Sequence, residues 1–145
     1  MPKSTATCNS FEALVFNATN WPFIADNTST TPNTVLYLSL HTANPGTTDN
    51  QLTSEATYTN YTRVSVTRTT AGWQVPSSGA TSNAALVQFP QCGASGNTIT
   101  YVGIGTGNTG TTGHLLYNGA LNSSLAVANL IQPQFSIGAL TVTET

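Results

Sequence analysis

Short runs in which every second residue is apolar set the tightest limit on how this chain can fold. Val35 to His41 reads V-L-Y-L-S-L-H, which puts Leu36, Leu38 and Leu40 on one face of a strand and Tyr37, Ser39 and His41 on the other. Arg63 to Thr69 alternates as well, with Val64 and Val66 inward. Arg63 and Arg68 are five apart, so a regular strand points them to opposite faces. Between the two runs lie a turn at Asn44-Pro45-Gly46 and a long polar excursion.

The same reading extends to the C-terminus. Strands are expected around Trp73 (Gly72 to Val75), at Ala84 to Phe89, and at Thr98 to Ile104. Leu115 to Tyr117 and Ala120 to Val127 read as a hairpin across Asn118-Gly119, the strongest two-residue turn signal. Phe135 to Val142 reads as the last strand, with a bulge at Gly138. One short helix is expected near the start. Asn9 is its cap, Glu12 the reciprocal partner of a capping box, and Phe11, Leu14 and Val15 its apolar face. The class is therefore all-β: an antiparallel β-sandwich or jelly-roll-like barrel of about eight strands with one short N-terminal helix. Residues 1–33 are expected to form an arm carrying that helix, anchored through Trp21 and Phe23, and residues 34–145 the β domain.

Charge is scarce. Only 6% of the 145 residues are Asp, Glu, Lys or Arg, against roughly 25% in an ordinary domain. Thr, Ser, Asn, Gln and Gly fill the gap. With a net charge of -2 there is little self-repulsion or steering, and contacts made by such a surface depend weakly on salt. Three basic residues cannot neutralise a phosphate track, which excludes nucleic acid as a partner. No apolar run reaches the roughly 18 residues of a membrane span, and the first residues lack the apolar core of a signal peptide. Cys8 and Cys92 are far apart in sequence and are expected to be two free, buried thiols, with a disulfide between them as the alternative.

Several patterns invite a chemical reading and fail it on context. Gly105-Thr106-Gly107-Asn108-Thr109-Gly110 matches a dinucleotide fingerprint, but turn and strand residues follow where a helix must open. A glycine-rich hairpin loop is expected, and no cofactor. His41 and His114 belong to no metal-spaced or hydrolase motif. His41, ending a strand before a turn, is expected to bond backbone carbonyls. Asp49 and Glu55 are expected to pair with Arg63, Arg68 or backbone groups rather than to act as an acid/base couple. No catalytic or metal-binding residue is assigned, and no enzymatic activity is expected.

The spaced pattern Leu38-x-Leu40-His41-Thr42-Ala43-x-Pro45-Gly46, then Glu55-Ala56-x-Tyr58-x-x-Tyr61-x-Arg63-Val64-x-Val66-x-Arg68, Trp73 and Val87-x-Phe89-Pro90, resembles small virion structural proteins of tailed bacteriophages. So does the closing run Leu116-Tyr117-x-Gly119-Ala120-Leu121 with Pro133-x-Phe135-x-x-Gly138-Ala139-Leu140-Thr141-Val142. The resemblance covers Val35 to the C-terminus and implies a particle component without an active site. Such chains serve as tail fibre, minor structural or head decoration proteins, and the lack of a repeat or coiled-coil stalk here favours a capsid decoration (cement) protein, usually trimeric, docked on the major capsid protein or other virion proteins. A tail fibre for host adhesion is the alternative, and a carbohydrate-binding domain a more distant one. The expected contact residues are Phe11, Leu14, Trp21 and Phe23 in the arm and Tyr58, Tyr61, Arg63 and Arg68 in the β domain. Tyrosine suits such surfaces because an apolar body carries a polar tip.

Overall fold

The computed structural model describes residues 4–20, 32–48, 50–111 and 113–144. Trp21, Phe23 and Asp49 therefore lie outside the described residues. The protein is all-β with one N-terminal helix. In chain order the elements are α1 (Thr5–Asn17), β1 (Val35–His41), β2 (Val64–Thr67), β3 (Ala80–Ser82), β4 (Val87–Gln88), β5 (Asn97–Gly105), β6 (Leu115–Val127), β7 (Gln134–Phe135) and β8 (Thr141–Thr143). One sheet has the order β2-β1-β5-β6, and two-stranded ribbons pair β3 with β8 and β4 with β7. The chain divides into two compact units, one of residues 1–35, 66–87 and 135–145, the other of residues 36–65 and 88–134.

In the larger unit, β1 and β5 are antiparallel, with Leu38 opposite Ile104, Ser39 opposite Gly103 and Leu40 opposite Val102. Leu36, Leu38 and Leu40 are buried, as their alternation requires. The other face of β1 is buried too: Ser39 and His41 are both 0% exposed. Glycine makes this possible. A Cβ on Gly103 would stand 2.7 Å from both His41 Nε2 and Ser39 Oγ, and one on Gly105 would collide with the Gln51 amide. The strand thus has an apolar face and a polar face, and both are covered.

Asn118-Gly119 is not a turn. β6 runs unbroken for 13 residues, with Asn118 opposite Gly103 and Gly119 opposite Val102. The strong local hairpin signal loses to the long-range ladder: β5 is nine residues long and β6 pairs along it. Asn118 uses its side chain elsewhere, donating from Nδ2 to the Gly46 carbonyl at 3.0 Å. The turn between β5 and β6 is the glycine-rich segment 106–114, where Thr106 donates its N–H to the His114 carbonyl at 2.9 Å.

In the smaller unit, α1 starts five residues earlier than the Asn9 cap implies and runs for 13 residues. Ser4 is the true cap, its hydroxyl accepting from the Thr7 N–H at 3.2 Å. Asn9 lies inside the helix, where its side-chain oxygen accepts from the Gly79 N–H. The buried stripe is Cys8, Glu12 and Phe16, each four residues on, whereas Phe11 is 36% exposed and Leu14 and Val15 are half-buried. Ala18 takes φ 52° and Thr19 donates back to the Ala13 carbonyl at 3.0 Å, a Schellman-type ending. Phe16 packs on Trp73 with ring centroids 4.6 Å apart.

The last expected strand is broken in two. Gly138 sits at φ 76° in a turn between β7 and β8, not in a bulge. Asn83, fully buried, holds that turn: its Nδ2 donates to the Ala85 and Ser136 carbonyls at 2.8 and 2.9 Å, and its Oδ1 accepts from the Leu140 N–H at 2.9 Å. β3 has no signature in the Ser77-Ser78-Gly79-Ala80-Thr81-Ser82 stretch, and it forms because β8 pairs with it, Thr81 opposite Val142.

The strand reading of Asn118-Gly119 is directly testable. No heavy atom lies within 4 Å of a Cβ built on Gly119. The Gly119→Ala variant is expected to be more stable by about 0.4–1 kcal/mol in urea unfolding, because alanine narrows the unfolded ensemble. A type I′ turn at this place would make the same change destabilising.

Candidate functional site

The densest polar chemistry lies in the larger unit and is centred on Arg63, just before β2. Arg63 is 8% exposed. Its Nε donates to Glu55 Oε1 at 2.7 Å and its Nη2 to Glu55 Oε2 at 2.8 Å, a bidentate pair. Nη1 donates to the Gly107 carbonyl and Nη2 to the Gly110 carbonyl, each at 2.9 Å. Gln51 completes the contact from the other side, its Oε1 accepting from the Gly107 N–H at 3.1 Å while its Nε2 donates to the Tyr37 carbonyl at 3.1 Å. A loop with no ladder of its own is thus pinned by one guanidinium and one amide.

Tyr61 and Tyr58 join the same cluster. The Tyr61 hydroxyl donates to Glu55 Oε1 at 2.9 Å and accepts from the Leu40 N–H at 3.0 Å. Burial, and then the neighbouring Glu55 carboxylate, push its phenol far above the ordinary range. Tyr58 is buried and donates to the Pro90 carbonyl at 3.0 Å, and its phenol is pushed up to about 12 by burial and Cys92. The two rings meet edge-on at 5.2 Å, and Tyr61 stacks on Phe89 at 6.3 Å.

Ser39 and His41 have the hydrogen bond of a nucleophile and its base, with Oγ and Nε2 2.9 Å apart. Two features make the pair structural. Both residues are 0% exposed, so no substrate reaches them. His41 Nδ1 faces the Thr53 carbonyl at 2.9 Å rather than a carboxylate. That carbonyl can only accept, so the proton sits on Nδ1 and Nε2 accepts from the serine hydroxyl. Burial holds the imidazole below its ordinary pKa of 6.5, against the opposing pull of the Thr53 carbonyl and Glu55.

A shallow groove of about 290 Å³ opens beside this cluster, lined by Leu52, Thr57, Thr62 and the Asn108–Gly110 stretch as well as by Glu55, Tyr61 and Arg63. All the N–H groups of Arg63 point to oxygens within the unit, so the groove wall is a satisfied structural element.

Arg68 serves the smaller unit in the same manner. Its Nε and Nη2 donate to the carbonyls of Val15 and Leu14, and Nη1 to that of Asn33, all at 2.6 Å. Val15 and Leu14 belong to the last turn of α1, whose carbonyls have no intrahelical partner. The two arginines do diverge as their spacing implies, one into each unit. Of the other expected contact residues, Tyr58 and Tyr61 are gathered around the Arg63 pair, while Phe11 and Leu14 lie on α1 with Phe11 open to solvent. Gln51 and Asn83 carry much of the architecture and were not singled out, since an amide in a loop has no periodic signature.

The described charged residues are drawn in from the surface. Among the described residues no Asp, Glu, Lys or Arg is exposed: Glu12 and Arg63 are buried, and Glu55, Arg68 and Glu144 are half-buried. Large aliphatic side chains do project. Leu52 and Leu130 are 48% and 68% exposed in the larger unit, Val75 and Ile137 69% and 64% in the smaller. Leu130 stands at φ 68°, strained for a leucine. It is held there by its N–H to the Cys92 carbonyl at 2.8 Å and by Gln91 Nε2 to its own carbonyl at 2.9 Å.

The described residues form a β-rich fold with one helix, their charges buried or half-buried and their polar loops tied down. Residues 16–143 match the family model of the podophage GP4 fiber I protein gp80, and the chain belongs to that family. It is a structural protein of a bacteriophage virion. No curated protein matches it.

Two outcomes follow from this geometry. Arg63→Ala leaves Glu55 buried beside unpaired carbonyls and is expected to cost about 3–5 kcal/mol in chemical unfolding. Arg63→Lys should lose at least half as much, because one ammonium cannot span the same oxygens. His41, with its lowered folded pKa, contributes stability that is full above pH 6.5 and is lost as the pH falls toward the folded value. Nitrogen-detected NMR of the folded protein at pH 6.5 should therefore show a ring less than half protonated, with its proton on Nδ1.

Proposed function

We propose that the protein is a subunit of the fibre apparatus of a short-tailed phage, built into the particle as a homo-oligomer through its uncharged, aliphatic-studded surface. The match over residues 16–143 to a fibre protein family carries this reading. The described surface supports it: without exposed Lys or Glu to hold neighbours apart, Thr- and Asn-rich faces bearing projecting Leu130 or Ile137 dock with little desolvation cost. The partners are other copies of the chain, in a trimer, and neighbouring virion proteins. α1, seated on its own unit, presents Phe11 outward to a neighbouring subunit.

A second reading is a head decoration protein set on the major capsid protein. The sequence favours it in one respect, having no heptad stalk and no elongated repeat of the kind fibres use.

Cryo-electron imaging of particles labelled on this protein separates the two. Label confined to the tail vertex and its appendages is expected. Label spread over the shell would replace the fibre reading with decoration. The mass of the purified protein in solution should be that of a trimer, unchanged between low and high salt.

A further inference from the structure

The most exceptional group in the molecule takes no part in the Arg63 or Arg68 constellations. Glu12 sits midway along α1 and is 0% exposed. Neither of its carboxylate oxygens has a hydrogen-bond partner. Buried carboxylates are normally paired or multiply hydrogen-bonded, since burying a bare ionised one costs several kcal/mol. A bare carboxyl in a helix's buried stripe therefore demands a reason.

Its neighbours give no counter-charge. Cys8 and Phe16 flank it one turn away on the same buried stripe of α1. Cys8 abuts Gly79, where an added Cβ would stand 3.2 Å from the Cys8 Cβ and 3.1 Å from the Glu144 carbonyl. Glu144, just past β8, donates its N–H to the Gly79 carbonyl at 2.8 Å, and its carboxylate acts on Glu12 as a like charge. β3 brings no titratable side chain. Arg68 is engaged at the other end of the helix, on Leu14 and Val15. Lys3 and Asp26 lie outside the described residues.

We propose that α1 is a proton-dependent latch on the smaller unit. With Glu12 protonated the helix is seated, and with Glu12 ionised beside Glu144 the seat is disfavoured and the helix lifts. Lifting uncovers the stripe of Cys8 and Phe16 and separates Phe16 from Trp73. The direction follows from linkage. Burial first, and Glu144 second, raise the Glu12 carboxyl from 4.5 to about 7. The seated form thus holds a proton that the released form gives up, so seating is strongest below pH 4.5 and weakens as the pH rises through 7. This is opposite in sign to His41, so global unfolding mixes the two effects, and the test reads the helix locally.

Cys8, 4% exposed beneath α1, is the reporter, and Cys92, 0% exposed in the other unit, is the internal control. The full-length protein and its Glu12→Gln variant are treated with N-ethylmaleimide between pH 5.5 and 8.5, and labelling at each cysteine is read by peptide mass spectrometry. Comparing the two proteins at each pH cancels the ionisation of the thiol itself. The ratio of Cys8 labelling, parent over variant, is expected to rise by more than tenfold between pH 5.5 and pH 8.5, while the Cys92 ratio stays flat. Glu144→Gln, a milder change, should reduce the rise and serves as the test if Glu12→Gln fails to fold. A Cys8 ratio that does not rise with pH overturns the latch. So does an equal rise at Cys92, which would mean general opening rather than release of the helix.

Discussion

The glycine-rich turn before β6 and the end of α1 each hang on a guanidinium facing backbone carbonyls. β-strands satisfy one another's polar groups, but the long loop after β1 and the glycine-rich turn before β6 have no ladder to do so. Arg63 supplies five donors in a rigid fork, two for Glu55 and the rest for carbonyls of residues 107 and 110 and the Gln51 oxygen. Glu55 neutralises it and in turn anchors Tyr61. In the smaller unit Arg68 performs the equivalent task at the end of α1. The charges of the described residues thus act within their own units. Among the described residues none is left exposed.

That arrangement bears on function more than any pocket does. A surface of Thr, Asn and Ser with isolated projecting aliphatics resists neither neighbours nor salt. It suits a component that is placed once in a particle and stays there. The Ser39–His41 hydrogen bond, which resembles catalytic machinery, is sealed under Gly103 and Gln51 and works as a strut.

What could be read from the residues was whatever alternation and spacing encode. β1 appears at its expected bounds because V-L-Y-L-S-L-H alternates without interruption, and β5 nearly so. The glycine-rich hairpin and the structural role of His41 follow from types and positions, whereas the residues alone left Glu55 a choice of Arg63, Arg68 or backbone and left Cys8 and Cys92 free or bonded. The misses share one cause: a local signal overruled by a distant partner. Asn118-Gly119 is the best of hairpin signals, but the ladder to β5 runs through it. Asn9 and Glu12 have capping-box spacing, but Asn9 bonds Gly79 seventy residues away and Glu12 is buried. Gln51 and Asn83, which no pattern marks, hold loops together because each amide carries both donors and an acceptor. The outline of the polar centre was thus legible through its charges, and its amide half was not.

The claim that Arg63 is the fixed point of the larger unit is most directly tested by hydrogen exchange at its own Nε–H, followed by NMR together with the Gly107 amide. Both protons are donated to buried oxygens, Glu55 Oε1 and Gln51 Oε1. They should exchange as slowly as the amides of β1 and β5, only when the whole unit opens. If the Arg63 Nε–H and the Gly107 amide exchange orders of magnitude faster than those strands, like an unanchored surface loop, the guanidinium does not hold the structure and the account is wrong at its centre.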